Sequence, residues 1–182
     1  HGRAAHTDRD HRLATRFNSG GIAVGGPDHI GHGASPGVRA HVRRFSDYLE
    51  PLTALRERIK EWYPDKPVFL LGHSMGGLIG AHALLVSQKS YHGAMFSGPA
   101  FTAVDPVSAP VIWIGRLLRY VFPKMGMLAL NATEVSRDPA VVADYIADPL
   151  VYNGKITASL GLEILDAMEV AISRAGEITR PV

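Results

Sequence analysis

The residues with the clearest capacity for chemistry lie in the stretch Val68-Phe69-Leu70-Leu71-Gly72-His73-Ser74-Met75-Gly76-Gly77-Leu78-Ile79-Gly80. A short apolar run opened by Pro67 passes through Gly72 into a serine, then into a small-residue helix beginning near Met75. This is the strand, turn and helix that a nucleophile elbow needs. The spacing has a steric cause. The serine must sit on a strained turn that aims its hydroxyl off the sheet edge, and glycines two residues to either side let the strand and helix backbones pass closely. Ser74 is accordingly the candidate nucleophile. Such a short pattern arises by chance in many chains, but the apolar strand before it and Gly77, Gly80, Ala81 and Ala83 after it make the elbow the stronger reading.

Positioning that serine requires a sheet and covering helices, and the flanking sequence has their pattern. His11 to Asn18, carrying Leu13, Ala14 and Phe17, predicts a short helix broken by Ser19-Gly20-Gly21. Ile22-Ala23-Val24 reads as a minimal buried strand, followed by the glycine-dense loop from Gly25 to Gly33. In open α/β sheets such loops carry functional groups. His29 and His32 in this loop invite a metal site, but no regular helix presents them and no third ligand clusters with them. A structured loop is the preferred reading, and no metal is assigned. From Arg39 to Trp62 the residues Phe45, Tyr48, Leu49, Leu52, Leu55, Ile59 and Trp62 recur at helical steps, predicting an amphipathic helix laid on the sheet. Pro51 either kinks that helix or restarts it from its first turn. Trp62 and Tyr63 are expected to close the core beneath it. The elbow helix extends to about Gln88, and Gly93 to Ser97 reads as the next strand. Strand and helix alternating at these lengths predict an α/β fold with a parallel sheet.

Beyond Phe101 the alternation stops, and no strand is expected before about Gly161. The piece Pro110 to Pro123 is apolar almost all round, interrupted by Arg116 and Arg119, with Val111 to Phe122 the part that could meet a membrane. It is too short to span a bilayer, where about 20 residues are needed. Either it is buried, or its second apolar face meets an acyl chain or a membrane surface. An insertion directly after a sheet strand lies over the edge that exposes Ser74, so the segment is read as a lid. Asp138 to Ala147 predicts a capped helix with Pro139 in its first turn, and Thr157 to Ala175 an amphipathic helix through Leu160, Ile164, Leu165, Met168 and Ile172. The expected organisation is a core over residues 1–100, a helical cap over 101–161 and a return helix over 162–182.

At 182 residues and 46% hydrophobic content the chain fits one domain with a real core. Lys+Arg 19 against Asp+Glu 17 leaves a net charge of +2, with the signs interspersed, so a nucleic-acid partner is not expected. The absence of cysteine excludes disulfides and cysteine-ligated zinc. No cofactor is assigned: the Gly25 to Gly33 loop does not open a helix with dinucleotide-binding spacing. No targeting segment is visible, and with the start at His1-Gly2 that absence carries little weight; the expected location is the cytoplasm or the periphery of a membrane, with secretion left open. Ile178 to Val182 reads as the approach to another strand.

Several separately spaced motifs stand in one order: His1-Gly2 with His6 and Arg9; Asp28-His29-Ile30-Gly31-His32-Gly33-Ala34-Ser35; Tyr63-Pro64 before the Pro67 to Gly77 elbow; and Asp148-Pro149-Leu150. Together they resemble monoacylglycerol lipases, which have the α/β-hydrolase fold, over nearly the whole chain and least across the lid. The resemblance implies a serine hydrolase that cleaves monoacylglycerol to fatty acid and glycerol through an acyl-enzyme, with Ser74 as nucleophile. It also implies an oxyanion hole formed by the backbone N–H groups of Arg3 and Met75. The chain departs from the family pattern at Arg3, Ala5 and Asp10, where a small or apolar residue, a glutamate and a tyrosine are usual.

In this fold the triad acid and histidine follow the lid. His73 adjoins the serine on its strained turn, His82 lies about two turns along the elbow helix, and Asp105 and Asp148 fall in the insert. No complete triad is therefore expected within these residues. The family's central strand, between Gly21 to Val24 and the elbow strand, is also missing, so the chain alone is expected to be poorly stable. The alternatives are a lysophospholipase or other carboxylesterase of the same fold, or a non-catalytic relative if the natural chain stops at Val182.

Overall fold

A computed structural model describes residues 7–103, 108–129, 133 and 135–182. A turn of 3-10 helix at Thr7–Asp10 leads into α1 (His11–Ser19), which ends where Gly20 N–H bonds to Phe17 O at 2.9 Å. Ile22, Ala23 and Val24 do not form the expected strand. Among the described residues no strand pairs with them, and Ile22 and Val24 are 54% and 44% exposed. An apolar run becomes a strand only when a neighbour takes up its backbone hydrogen bonds.

The stripe from Arg39 to Trp62 divides into a 3-10 segment, Phe45–Tyr48, and α2 (Leu49–Trp62). Pro51 sits in the first turn of α2, where its missing N–H leaves no helical bond unmade, so the helix restarts instead of kinking. Leu49 and Leu52 pack α2 against the core. Trp62 and Tyr63 do not close the core: they lie at the far end of α2, 61% and 45% exposed.

β1 (Phe69–His73), α3 (Met75–Ser87) and β2 (Gly93–Ser97) form one crossover unit. The strands pair in parallel, from Phe69 opposite Gly93 to His73 opposite Ser97. Leu70 and Ala94 are buried with Ala83, Leu84 and Tyr91 on one face. On the other, Phe69, Leu71 and Met95 are exposed, because nothing among the described residues covers it. The strand is thus buried on one side only, although its continuous apolar run suggested two. Ala94 N–H bonds to Pro181 O at 2.9 Å, so the segment after Ile178 does approach the sheet, beside β2.

Beyond Phe101 come α4 (Ala109–Val121), β3 (Gly126–Ala129), α5 (Pro139–Ala147), β4 (Lys155–Thr157) and α6 (Ala158–Ser173). The strands correct the expectation of a strandless insert. β3 and β4 pair antiparallel, Gly126 opposite Thr157 and Ala129 opposite Lys155. Each is too short to display an alternating pattern, and each exists only through its distant partner. The expected cap forms at Asp138, whose Oδ1 accepts Ala140 N–H at 2.9 Å, and a second cap forms at Thr157, whose Oγ1 accepts Leu160 N–H at 3.2 Å. The main core joins Val42, Phe45 and Tyr48 to Met75, Leu78 and Ile79 of α3 and to Ile156, Leu160 and Ile164 of β4 and α6. It therefore couples the helix that begins at Ser74 to α6, which continues without a break across residue 161.

Candidate active site

Ser74 joins β1 to α3 with φ 52 and ψ −120, a conformation that costs a residue with a side chain about 1–3 kcal/mol. The surroundings impose it. Ser74 N–H bonds to Ser97 O at 3.1 Å, at the end of β2, and Ser74 O accepts Ala100 N–H at 3.0 Å and Gly77 N–H at 3.0 Å. The close approach that the glycine spacing predicts is present: a Cβ on Gly72 would lie 2.5 Å from Gly76 O, and one on Gly77 would lie 2.8 Å from Pro99 Cβ. The Ser97-Gly98-Pro99-Ala100 exit loop thus shapes the elbow as much as the elbow's own residues do. Sequence reasoning treated that loop as a simple strand exit. Its only signal was the Gly-Pro pair that ends the strand.

Met75 is the first residue of α3. Its side chain is fully buried, while its backbone N–H has no acceptor among the described residues. First-turn N–H groups have no partner within the helix, and they stand at the positive end of its dipole, which suits them to receive an anionic oxygen. The other expected donor, Arg3, lies outside the described residues.

The two histidines nearest in sequence face elsewhere. His73 Nδ1 donates to Ser97 O at 2.9 Å, and His82 Nε2 donates to Ala167 O at 2.9 Å, with its ring 4.9 Å from that of Phe45. Asp148 Oδ1 accepts Leu150 N–H at 2.9 Å within its own turn. Asp105 lies outside the described residues. Among those described, Ser74 Oγ has no histidine or carboxylate partner.

The loop carrying His29 and His32 is structured, as expected. Asp28 Oδ1 accepts the backbone N–H and the hydroxyl of Thr7 at 2.8 and 3.0 Å, and Asp28 Oδ2 accepts Ala34 N–H at 2.9 Å. His32 Nδ1 donates to Ile30 O at 3.0 Å. Both histidines are buried edge-on against Tyr48, with ring centroids 5.3 and 6.0 Å away. Burial pushes His29 down to about 3 and lowers His32 from its ordinary value, so both stay neutral. Among the described residues no three metal-ligating side chains cluster. Tyr48, read from sequence as part of an apolar stripe, is fully buried, and its hydroxyl has no hydrogen-bond partner among the described residues.

α4 turns Gly115 inward against Leu162 and leaves Trp113, Leu117 and Tyr120 exposed, Tyr120 to 88%. Of the two readings of this apolar segment, burial is therefore excluded for most of its large side chains. Among the described residues no helix is long and apolar enough to cross a membrane.

The family model described as serine aminopeptidase, S33, matches residues 1–182. The chain belongs to this hydrolase family. A monoacylglycerol lipase of Mycolicibacterium smegmatis is 37% identical over 183 residues, covering 100% of this chain and 65% of its own. Phospholipase YtpA of Bacillus subtilis is 37% identical over 174 residues, covering 94% of this chain and 66% of its own. The crystal structure of Paleococcus ferrophilus monoacylglycerol lipase matches with a TM-score of 0.84 at 29% identity, over 100% of this chain and 68% of that one. The resemblance read from the motifs is borne out, and so is the α/β-hydrolase fold, of which β1, α3 and β2 form part. The chain spans less than two thirds of the length of the mycobacterial relative.

Proposed function

We propose that the full-length protein is a carboxylic ester hydrolase that cleaves monoacylglycerol to a fatty acid and glycerol, with Ser74 as its nucleophile. The observation that carries this reading is the positive-φ serine at the start of α3, held by Ser97 and Ala100, in a chain 37% identical to a monoacylglycerol lipase. Ser74 Oγ attacks the ester carbonyl carbon as its proton passes to a general base, and the carbonyl oxygen becomes an oxyanion. The backbone N–H of Met75, together with that of Arg3, receives the charge. Collapse expels glycerol, which takes up the proton, and leaves the fatty acyl group on Ser74; water then releases the acid. The triad acid and histidine lie outside residues 1–182 on this reading, consistent with the greater length of the relatives.

Residues 101–161 form the acyl-binding cap over the core of 1–100, into which Ile156 and Leu160 at its end pack, and 162–182 lead back into that core. The open face of α4, with Trp113, Leu117 and Tyr120, makes peripheral contact with the lipid aggregate that presents the substrate.

The identity to phospholipase YtpA favours a second reading, in which the head group is a phosphodiester. The full-length protein should be assayed on monoacylglycerol and on lysophosphatidylcholine of the same acyl chain in the same micelles. We expect kcat/KM to favour monoacylglycerol by about tenfold or more; the opposite preference establishes the phospholipase reading.

A further inference from the structure

Glu163 stands on α6 between Leu162 and Ile164, all three buried. A carboxylate in such a place is costly unless both oxygens are partnered. Both are, by different parts of the fold. Oε2 accepts Phe45 N–H at 2.5 Å, where the 3-10 segment begins, and Oε1 accepts from the Arg119 guanidinium of α4. Arg119 also lies 3.8 Å from Asp166, as does Arg116. The two charges that interrupt the apolar run of α4 thus sit one turn apart and face α6. The Asp166 contacts are exposed and long, so they contribute little. The Arg119 and Glu163 side chains are sheltered, at 32% and 11% exposure.

The side of Glu163 that faces the core is firmly held. Thr157 N–H and Oγ1–H both donate to Ala40 O, at 3.1 and 3.0 Å, and Ser159 Oγ donates to Val42 O at 2.6 Å. With Phe45 N–H on Glu163, these bonds fasten the start of α6 to residues 40–45, which share one core with Met75 and Leu78 of α3. α4 is fastened less along its length. The chain just after it is held where Ser159 N–H bonds to Pro123 O at 3.3 Å and Ala158 N–H to Met125 O at 2.9 Å, but α4 itself meets α6 through Gly115 on Leu162 and through the arginines, and shows most of its large apolar side chains to solvent.

We propose that Glu163 is a positioning residue that pins α4 to the core through Arg119 and so sets how the apolar face of α4 is presented to an aggregated lipid. The proposal rests on the hydrolase reading and adds to it a residue that governs aggregated substrates without touching the reacting atoms. A purely structural role would make removal of the pair cost activity on every substrate alike.

The test uses the full-length protein with Glu163→Gln, which keeps an acceptor for Phe45 N–H, with the double variant Glu163→Gln/Arg119→Met, which leaves no buried charge unpaired, and with Arg119→Lys, which keeps the cation. Three quantities are read: fluorophosphonate labelling rate, kcat/KM on a monomeric butyrate ester, and kcat/KM on micellar long-chain monoacylglycerol. Glu163→Gln and the double variant should label and cleave the soluble ester within about twofold of the unmodified protein and lose about tenfold on micelles through a raised KM, with Arg119→Lys retaining most of that activity. Equal losses on both substrates, or none on micelles, would overturn the proposal. Absence of labelling in the unmodified protein overturns the hydrolase reading, and the proposal with it.

Discussion

Ser74 holds the strain of its turn in its own backbone, at φ 52, a value that glycine adopts without a Cβ clash. Ser74→Gly should therefore stabilise the protein by about 1 kcal/mol in urea denaturation while removing its hydrolytic activity. Unchanged or lower stability would show that the turn is relaxed. Acidity tests the loop residues. Buried His29 stays neutral down to about 3, whereas in the unfolded chain it titrates near 6.5. Between those values the unfolded state holds the extra proton, so stability is full above about 6.5 and falls as pH drops toward 3. By pH 5 the loss from His29 is about 2 kcal/mol, and His32 acts in the same direction. Urea midpoints at pH 7 and pH 5 measure it, and His29→Gln should flatten the difference. The glycines flanking Ser74 were legible in the sequence because their spacing reports a local close approach. The burial of His29 and His32 was not, since Tyr48 reaches them from a different part of the chain.

Among the helices, two kinds of glycine are distinguished by what lies beside them. At the β1 to α3 turn, a Cβ on Gly72 would meet backbone at 2.5 Å, and backbone cannot step aside. Gly72→Ala should cost about 3 kcal/mol. In α4, by contrast, a Cβ on Gly115 would stand 3.6 Å from Leu162, an ordinary contact. Gly115→Ala should raise stability by about 1 kcal/mol, because alanine is the better helix former. Thermal melts of the two variants should shift in opposite directions. α3, α5 and α6 were legible because the small residues after the elbow, the Asp138 cap with Pro139 behind it, and the apolar spacing from Leu160 to Ile172 are local signals. β3 and β4 were hidden because each is defined by a partner far along the chain, and Ile22 to Val24 failed as a strand for want of such a partner.

Across the whole molecule the order of elements was legible in part: a strand, helix and parallel strand around the serine, then a stretch where that alternation stops, then the long helix α6. What the sequence could not show is how the parts are tied. α6 bridges α3 and α4, Glu163 is shared between Phe45 and Arg119, and the elbow hangs from Ser97 and Ala100. Among the described residues the sheet face with Phe69, Leu71 and Met95 and the outer face of α4 are open apolar surfaces. Both lie away from the turn at Ser74, which carries the proposed nucleophile. Fluorophosphonate labelling of the full-length protein, with Ser74→Ala as control, addresses it directly. One covalent adduct on the peptide containing Ser74, absent in the variant, is the result expected; labelling that persists in Ser74→Ala, or that never occurs in the unmodified protein, would contradict the account.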